Sequence, residues 1–504
     1  DRVTDIRQLQ TAQETLLKTT QELQSLLDEK LLWIPSVPAI GVDWAPKIVR
    51  GAMELFSLEH IALIYDTLAV QLSNLWPLAL LFAVIILGLY QSRPRLLENI
   101  KKRSSEVGRV KVDSAWHTPA VLAEGGLMAL PLPLFFLFLG VLFDLVELAD
   151  PFVEGLTNAS YFLSVFLFVF LTWRVWDRDK SLFGTHFKMA ASVRSVVNSQ
   201  LRWFVPVVGV TSGLLALTTD MNSSDIYEGL SLFLFILTCL GLAVFGFRIT
   251  LSEKKRFTNA SSNTGWFIRY NGLISFFIIG IPVGAAILAA MGYYETADEL
   301  LWRFFMSALL LFLTYLVWGT IRRVIIVAQR QLRYRQAIER RDAAIKARRE
   351  KEAAEERGEE MSPPPKIDTK EIDVSSLTRQ SSQLLNTLII IAFAVLMWAN
   401  WASLLPALSI FDGVDVWTYK TGEMDQLNNP IEQAVTLWNV LQSLLILALT
   451  FIAARNLPGF LEIFILDRVG VEPGTRYAVV TILGYIIVGI GLVIGFDRLG
   501  LQWS

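Results

Sequence analysis

Four residues carry side chains that are common in catalytic or metal sites: the three histidines His60, His117 and His186, and the single cysteine Cys239. None of the histidines has a second ligand at a spacing typical of metal sites. The sequence also lacks the Gly-x-Ser-x-Gly, His-Glu-x-x-His and P-loop motifs. We therefore expect no enzymatic activity, no metal and no cofactor.

Charged side chains inside the hydrophobic segments are few. Glu124 and Asp144 fall near opposite ends of one segment, and Arg269 falls near the start of another. Charges deep in a bilayer are costly and usually functional, whereas charges at segment ends anchor a helix at the membrane surface. These positions favour anchoring over an ion-coupling site. Cys239 lies within an apolar run and is predicted to be a small buried hydrophobic residue.

Long apolar segments dominate the chain of 504 residues, of which 53% are hydrophobic and 18% charged. A helix needs roughly 20 mostly apolar residues to cross a bilayer core of about 30 Å. The segments that qualify lie near 75–91, 120–146, 158–175, 200–219, 227–249, 266–291, 299–327, 383–410, 433–454 and 475–497. The predicted fold class is thus an all-α, polytopic helical membrane protein with about ten transmembrane helices and an N-terminal amphipathic helical extramembrane segment. The net charge of −2 gives no indication of nucleic-acid binding.

Basic residues alternate between successive loops. The loops 92–119, 174–199 and 248–265 are rich in Lys and Arg, whereas the intervening loops have none or, around 411–432, only Lys420. Lys- and Arg-rich loops stay in the cytoplasm. Residues 1–74 are therefore expected outside the cytoplasm, on the periplasmic side of a bacterial inner membrane.

The segments outside the membrane have their own patterns. Residues 1–74 read as amphipathic helices, in which a seven-residue leucine repeat leaves open either a packed helix or the end of a coiled-coil domain. Residues 328–382 are predicted to begin as a helix with mixed charges. A run of prolines ends this helix and begins a linker. This linker separates seven predicted spans at 75–327 from three at 383–504.

Small residues recur in the last span. Gly484, Gly491 and Gly495 are spaced so that they share one helix face. Glycines at such spacing let two membrane helices approach closely. The face is either ordinary helix packing or a surface that slides when the protein changes shape.

Two further sets of residues are candidates for contact with lipid. Arg455, Arg468 and Arg476 lie at the predicted cytoplasmic interface, where they either hold lipid headgroups or anchor the loops. The candidate lipid-facing positions of the last two spans are Leu441, Leu447, Ile486 and Ile490.

The C-terminal region resembles a known family. The motif Asn456-Leu457-Pro458-Gly459, the tyrosine-led last span that begins at Tyr477, and the segment 496–503 are similar to the stretch before the pore helix of large MscS-like mechanosensitive channels of the MscK and MscM types. A weaker similarity extends upstream, to residues 28–33 and 43–44. The similarity is specific only over roughly 430–503.

This resemblance implies a homo-oligomer, a heptamer in this family, that opens under membrane tension and releases ions and small solutes after hypo-osmotic shock. It also implies that a pore helix follows residue 504, so the pore gate lies outside the sequence. On this interpretation residues 1–74 end a periplasmic domain, 75–327 form a peripheral wing and 383–504 form a tension-sensing unit. The alternative is a secondary transporter or lipid-handling permease, which would require inverted repeats and buried mid-membrane charges.

Overall fold

The computed structural model describes residues 13, 15–20, 33–146, 150–219, 221, 223–257, 265–357, 374–404, 411–424, 430–461 and 473–501. The chain divides into two compact units. Unit A comprises residues 1–34, 306–314 and 379–504, and unit B comprises residues 35–305 and 315–378. Most of the predicted leucine repeat in residues 1–30 lies outside the described residues, as does the proline linker.

Helices account for most of the described chain. Their bounds are α1 Trp44–Leu55, α2 Leu58–Asn74, α3 Trp76–Glu106, α4 His117–Ala129, α5 Pro131–Asp144, α6 Pro151–Trp176, α7 Ala191–Thr218, α8 Leu232–Phe257, α9 Gly265–Ala290, α10 Tyr294–Arg357, α11 Val374–Trp401, α12 Leu437–Leu461 and α13 Pro473–Arg498. Short π-helices at Leu182–His186 and Asp225–Ser231 precede α7 and α8. The predicted helical fold class is confirmed.

Proline positions several of the helix starts. Pro131 and Pro151 stand at the first helical residue of α5 and α6, where a missing N–H costs nothing. The α4–α5 pair bends by 57° at this break. In unit B, Ser164 Oγ donates to the Pro133 carbonyl at 2.9 Å, which satisfies a polar group beside the bend.

The number of spans differs from the expected ten. Within the described ranges, eight helices are long and apolar enough to cross a membrane, or nine if the bent α4–α5 pair is one span. The expected spans 266–291 and 383–410 correspond to shorter apolar stretches, Ser275–Ala290 and Leu385–Trp401. Conversely, Trp44–Asn74 passes the same test, although its residues were expected outside the membrane.

The hydrophobic core of unit B lies among α6 to α10. Phe204, Phe235, Ala289 and Ala297 are buried there with Cys239, which is fully buried. This environment confirms the prediction for the cysteine. The phenylalanine rings meet in tilted pairs, as Phe204 and Phe245 do at 4.2 Å between centroids.

Unit A contains a small sheet that the helical prediction missed. Strands β1 (Asp415–Met424) and β2 (Pro430–Thr436) form an antiparallel pair. The expected ninth span began at residue 433, but β2 continues to Thr436 and α12 starts at Leu437. β-Branched and aromatic residues alternate from Val416 to Tyr419, and this pattern favours a strand. It is the feature of the sequence from which β1 could have been predicted.

Candidate functional site

The helices α12 and α13 of unit A pack closely through two glycines. Gly491 and Gly495 are both buried on α13. A Cβ atom added at Gly491 would lie 2.0 Å from Thr450 Oγ1 on α12. One added at Gly495 would lie 3.0 Å from Leu447 Cδ2. The absence of a side chain at these two positions is therefore what permits the close approach.

The third glycine of the predicted face, Gly484, is half-buried on α13. Thr450 Oγ1 donates to the carbonyl oxygen of Ile446 at 2.7 Å, within its own helix. Since this hydroxyl group donates within α12, the contact of Thr450 with Gly491 is steric. Whether the face slides stays a prediction.

The candidate lipid-facing residues fall into two groups. Leu441, Ile486 and Ile490 are exposed, the last with 57% of its surface accessible. Leu447 is half-buried, and its side chain lies against Gly495 on the neighbouring helix. An apolar pattern does not distinguish contact with lipid from contact with a neighbouring helix, so the lipid-facing role of Leu447 stays a prediction.

The three candidate arginines are only partly described. Arg455 is exposed on α12. Arg468 lies outside the described residues, as does the side chain of Arg476, whose backbone belongs to α13. A common headgroup site for the three stays a prediction.

The β-hairpin of unit A contacts the end of α13. Trp417 Nε1 donates to the Leu499 carbonyl at 3.3 Å. Gly500 has a φ of +77°, and a Cβ added there would lie 2.3 Å from Tyr419 Cδ1. At the other end of the hairpin, Thr436 Oγ1 accepts from Asn439 N and so caps α12. The hairpin therefore links the first turn of α12 to the last turn of α13.

A buried polar cluster in unit B was not foreseen from the sequence. Arg323 Nη2 donates to both carboxylate oxygens of Asp113, at 2.6 and 2.7 Å, and each residue is only 4% exposed. Gly108 N and Gln331 Nε2 donate to the side chain and the carbonyl of Asp113. The loop after α3 is thereby fixed to α10.

Two of the widely separated histidines come together beside this cluster. His186 Nδ1 lies 2.9 Å from Thr118 Oγ1, and its Nε2 lies 3.2 Å from Ser104 Oγ. His117 Nε2 lies 3.4 Å from Glu106. Burial, followed by the charge of Arg323, lowers the pKa of His186 from 6.5 to about 4. In the part of the chain that the structure describes, no group of three or more His, Cys, Asp and Glu residues could hold a metal ion.

Residues 76–417, which include this cluster and most of the membrane helices, match the sequence profile of a family described as mechanosensitive ion channel inner membrane domain 1. The chain belongs to this family. It is thus a multi-pass inner-membrane protein. The matched residues end in strand β1 and precede the glycine-packed pair α12–α13.

Curated relatives extend the similarity over the whole chain. The miniconductance mechanosensitive channel MscM of Escherichia coli K12 is 27% identical over 99% of this chain and 45% of its own length. The mechanosensitive channel MscK of the same organism is 26% identical over 98% of this chain and 42% of its own. A protein of Haemophilus influenzae described as an uncharacterized MscS family protein is 26% identical over 98% and 44%. The chain spans less than half the length of these relatives.

Proposed function

We propose that this member of the mechanosensitive ion channel inner membrane domain 1 family is a subunit of a channel that opens under membrane tension. Ions and small solutes would pass through it after hypo-osmotic shock, and membrane lipids would be its main partners. The observation that carries this proposal is the alignment of nearly the whole chain with two proteins named as mechanosensitive channels.

The tension-responsive element in this proposal is the α12–α13 pair. Tension shifts a population towards the state that occupies more membrane area, because a stimulus acts only through a difference between two states. Leu441, Ile486 and Ile490 expose apolar surface on which lipid can act. The glycine contact at Gly491 supplies a closely packed arrangement that can be exchanged for a wider one. Arg455 would hold α12 at the headgroup level.

The rest of the chain has supporting roles in this proposal. Residues 1–74 end a periplasmic domain, 75–327 form a peripheral wing, 328–382 form the cytoplasmic charged helix with its linker, and 383–504 form the tension-sensing unit. The subunits assemble as a homo-oligomer, a heptamer by family resemblance. No residue of this chain is assigned to the pore gate.

The orientation can be tested with single cysteines on a Cys239→Ser background. Ala39 and Ser105 are both exposed, and we place them on opposite sides of the membrane. A membrane-impermeant maleimide applied to spheroplasts should label Ala39→Cys and leave Ser105→Cys unlabelled until the membrane is opened. The reverse pattern would refute the periplasmic placement of the N-terminal segment.

The channel function is tested by patch-clamp recording of the purified protein in liposomes during a suction ramp. Stepwise currents at a reproducible tension, absent from empty liposomes, are expected. Silence up to membrane rupture, from an oligomer shown to be folded, would contradict the proposal and favour the transporter class.

A further inference from the structure

Unit B contains a cavity of about 700 Å³ between α3, α4, α6 and α7. One part of its lining is apolar and includes Leu97, Met128, Leu171 and Leu201. The other part is basic. It contains the four arginines Arg93, Arg174, Arg178 and Arg202. The cavity is therefore amphipathic, with several cations at one side.

The four arginines of this cavity differ in their hydrogen bonds and exposure. Arg93 Nε donates to the Met128 carbonyl at 3.2 Å and is thereby held against α4. Among the residues that the structure describes, no ion pair involves Arg174, Arg178 or Arg202, and all three are exposed. Their guanidinium groups are available to a ligand.

One carboxylate also lines the cavity, but it has other partners. Asp177 Oδ1 accepts from Arg194 Nη1 at 3.1 Å, and its second oxygen accepts from Asn198 Nδ2. Its side chain is only 3% exposed. Since Arg194 balances the charge of Asp177, the four lining arginines leave the cavity with a strong excess of positive charge.

The sequence places these arginines at a membrane surface. Arg174 lies in the last turn of α6, Arg178 follows in a Lys- and Arg-rich loop, and Arg202 lies on α7 after that loop. Such loops face the cytoplasm, where the leaflet carries anionic lipids. Basic pockets between membrane helices on this side suit phosphate-bearing headgroups.

We propose that this cavity binds a phosphate ester of net negative charge whose apolar part contacts Leu97, Met128 and Leu171. Guanidinium groups bind phosphate through paired, charge-assisted hydrogen bonds, which a Lys or a neutral donor does not reproduce. An anionic phospholipid carries both parts of this ligand, and a soluble phosphate carries only the anionic part. The site is separate from Arg455, Arg468 and Arg476 and does not depend on channel activity.

The test is a titration of the detergent-solubilised protein followed by native mass spectrometry. The probes are dioctanoyl phosphatidylglycerol, dioctanoyl phosphatidylcholine and glycerol phosphate. The triple variant Arg174→Gln, Arg178→Gln, Arg202→Gln removes the free cations. The matched control Arg333→Gln, Arg335→Gln, Arg341→Gln makes the same charge change at exposed positions of α10.

We expect phosphatidylglycerol to bind the wild-type and control proteins equally, and the triple variant at least about tenfold more weakly. Phosphatidylcholine should bind more weakly than phosphatidylglycerol. Equal binding of glycerol phosphate and phosphatidylglycerol, with the same loss in the triple variant, would support the arginine site for phosphate, refute the contact with an apolar part and assign a soluble ligand to the cavity. Unchanged affinity in the triple variant, or equal binding of the two lipids, would overturn the proposal.

A second variant guards against loss of folding. Replacing the same three arginines with lysine keeps the charge and removes the planar fork. Its affinity for phosphatidylglycerol should lie between those of the wild-type protein and the glutamine variant. Wild-type affinity in the lysine variant, together with loss in the glutamine variant, would support an anion site held by charge and refute the paired guanidinium hydrogen bonds. Equal affinity in all three proteins would overturn the site.

Discussion

Gly491 on α13 faces Thr450 on α12 so closely that a single added carbon atom would lie 2.0 Å from the threonine hydroxyl oxygen. Gly489, two residues earlier on the same helix, has nothing within 4 Å of the same added atom. The two glycines therefore give a matched pair of substitutions, one inside the helix contact and one outside it.

Gly491→Ala should force α12 and α13 apart and lower the free energy of unfolding by about 1–3 kcal/mol. Thermal unfolding in detergent measures this cost, and the opening tension in liposomes measures its functional effect. If the packed arrangement is the resting state, the variant should open at lower tension. Gly489→Ala should change neither quantity. Adding Thr450→Ala to Gly491→Ala removes the two threonine atoms nearest to the new Cβ and should restore part of the stability. Equal stability and equal opening tension of Gly491→Ala and Gly489→Ala would contradict the close contact.

Gly500 should tolerate no side chain. Its φ of +77° strains any other residue, and the Tyr419 ring occupies the space of a Cβ. We expect Gly500→Ala to lower the free energy of unfolding by about 1–3 kcal/mol, measured by thermal unfolding. Gly413→Ala, which meets nothing within 4 Å, is the control. An unaffected Gly500→Ala protein would contradict the contact between the hairpin and α13.

The ion pair of Asp113 and Arg323 should be sensitive to the loss of one partner. Arg323→Gln leaves the buried carboxylate of Asp113 without its main partner. Such a loss lowers the free energy of unfolding by about 3–5 kcal/mol. Arg333→Gln, on the exposed part of the same helix, should cost less than about 0.5 kcal/mol. The double variant Asp113→Asn, Arg323→Gln should be more stable than the sum of the single losses implies. Additive losses would show that the two side chains do not interact.

The stability of unit B should depend on pH through His186. The pKa of His186 is about 4 in the folded protein, against the ordinary value of 6.5 that applies to the unfolded chain. As the pH falls, the unfolded chain therefore binds the proton first. The free energy of unfolding should therefore decrease from about pH 6.5 to about pH 4, by up to roughly 3 kcal/mol. Among the neighbouring charges, that of Arg323 lowers the pKa of His186 and that of Asp113 raises it.

The measurement for His186 is the unfolding temperature of the detergent-solubilised protein at pH 7 and pH 4.5. His186→Gln retains polar atoms for Thr118 and Ser104 and cannot accept the proton. The difference between the two pH values should be smaller in this variant than in the wild-type protein. An equal difference in both proteins would show that His186 does not titrate in this window.

The helical membrane fold could be predicted from the sequence, because a long apolar segment in a bilayer satisfies its backbone hydrogen bonds by forming an α-helix. The helices α6, α7 and α8 each contain a long apolar stretch, and they overlap the segments that were expected to span the membrane. The close packing at Gly491 and Gly495 was also accessible, since glycine spacing is a local signal. The β-hairpin was not predicted because the alternation of β-branched and aromatic residues from Val416 to Tyr419 is short and lies between two long apolar segments.

The sequence by itself determined the membrane class, the approximate spans and the glycine face, because hydropathy and spacing are properties of neighbouring residues. Only the tertiary structure decided which distant residues meet. It placed Asp113 on Arg323, 210 positions away, and gathered Arg93, Arg174 and Arg202 around one cavity. It also placed the side chain of Leu447 against Gly495. Such contacts depend on how the helices pack, and an apolar or charged residue looks the same in sequence whichever neighbour it finds.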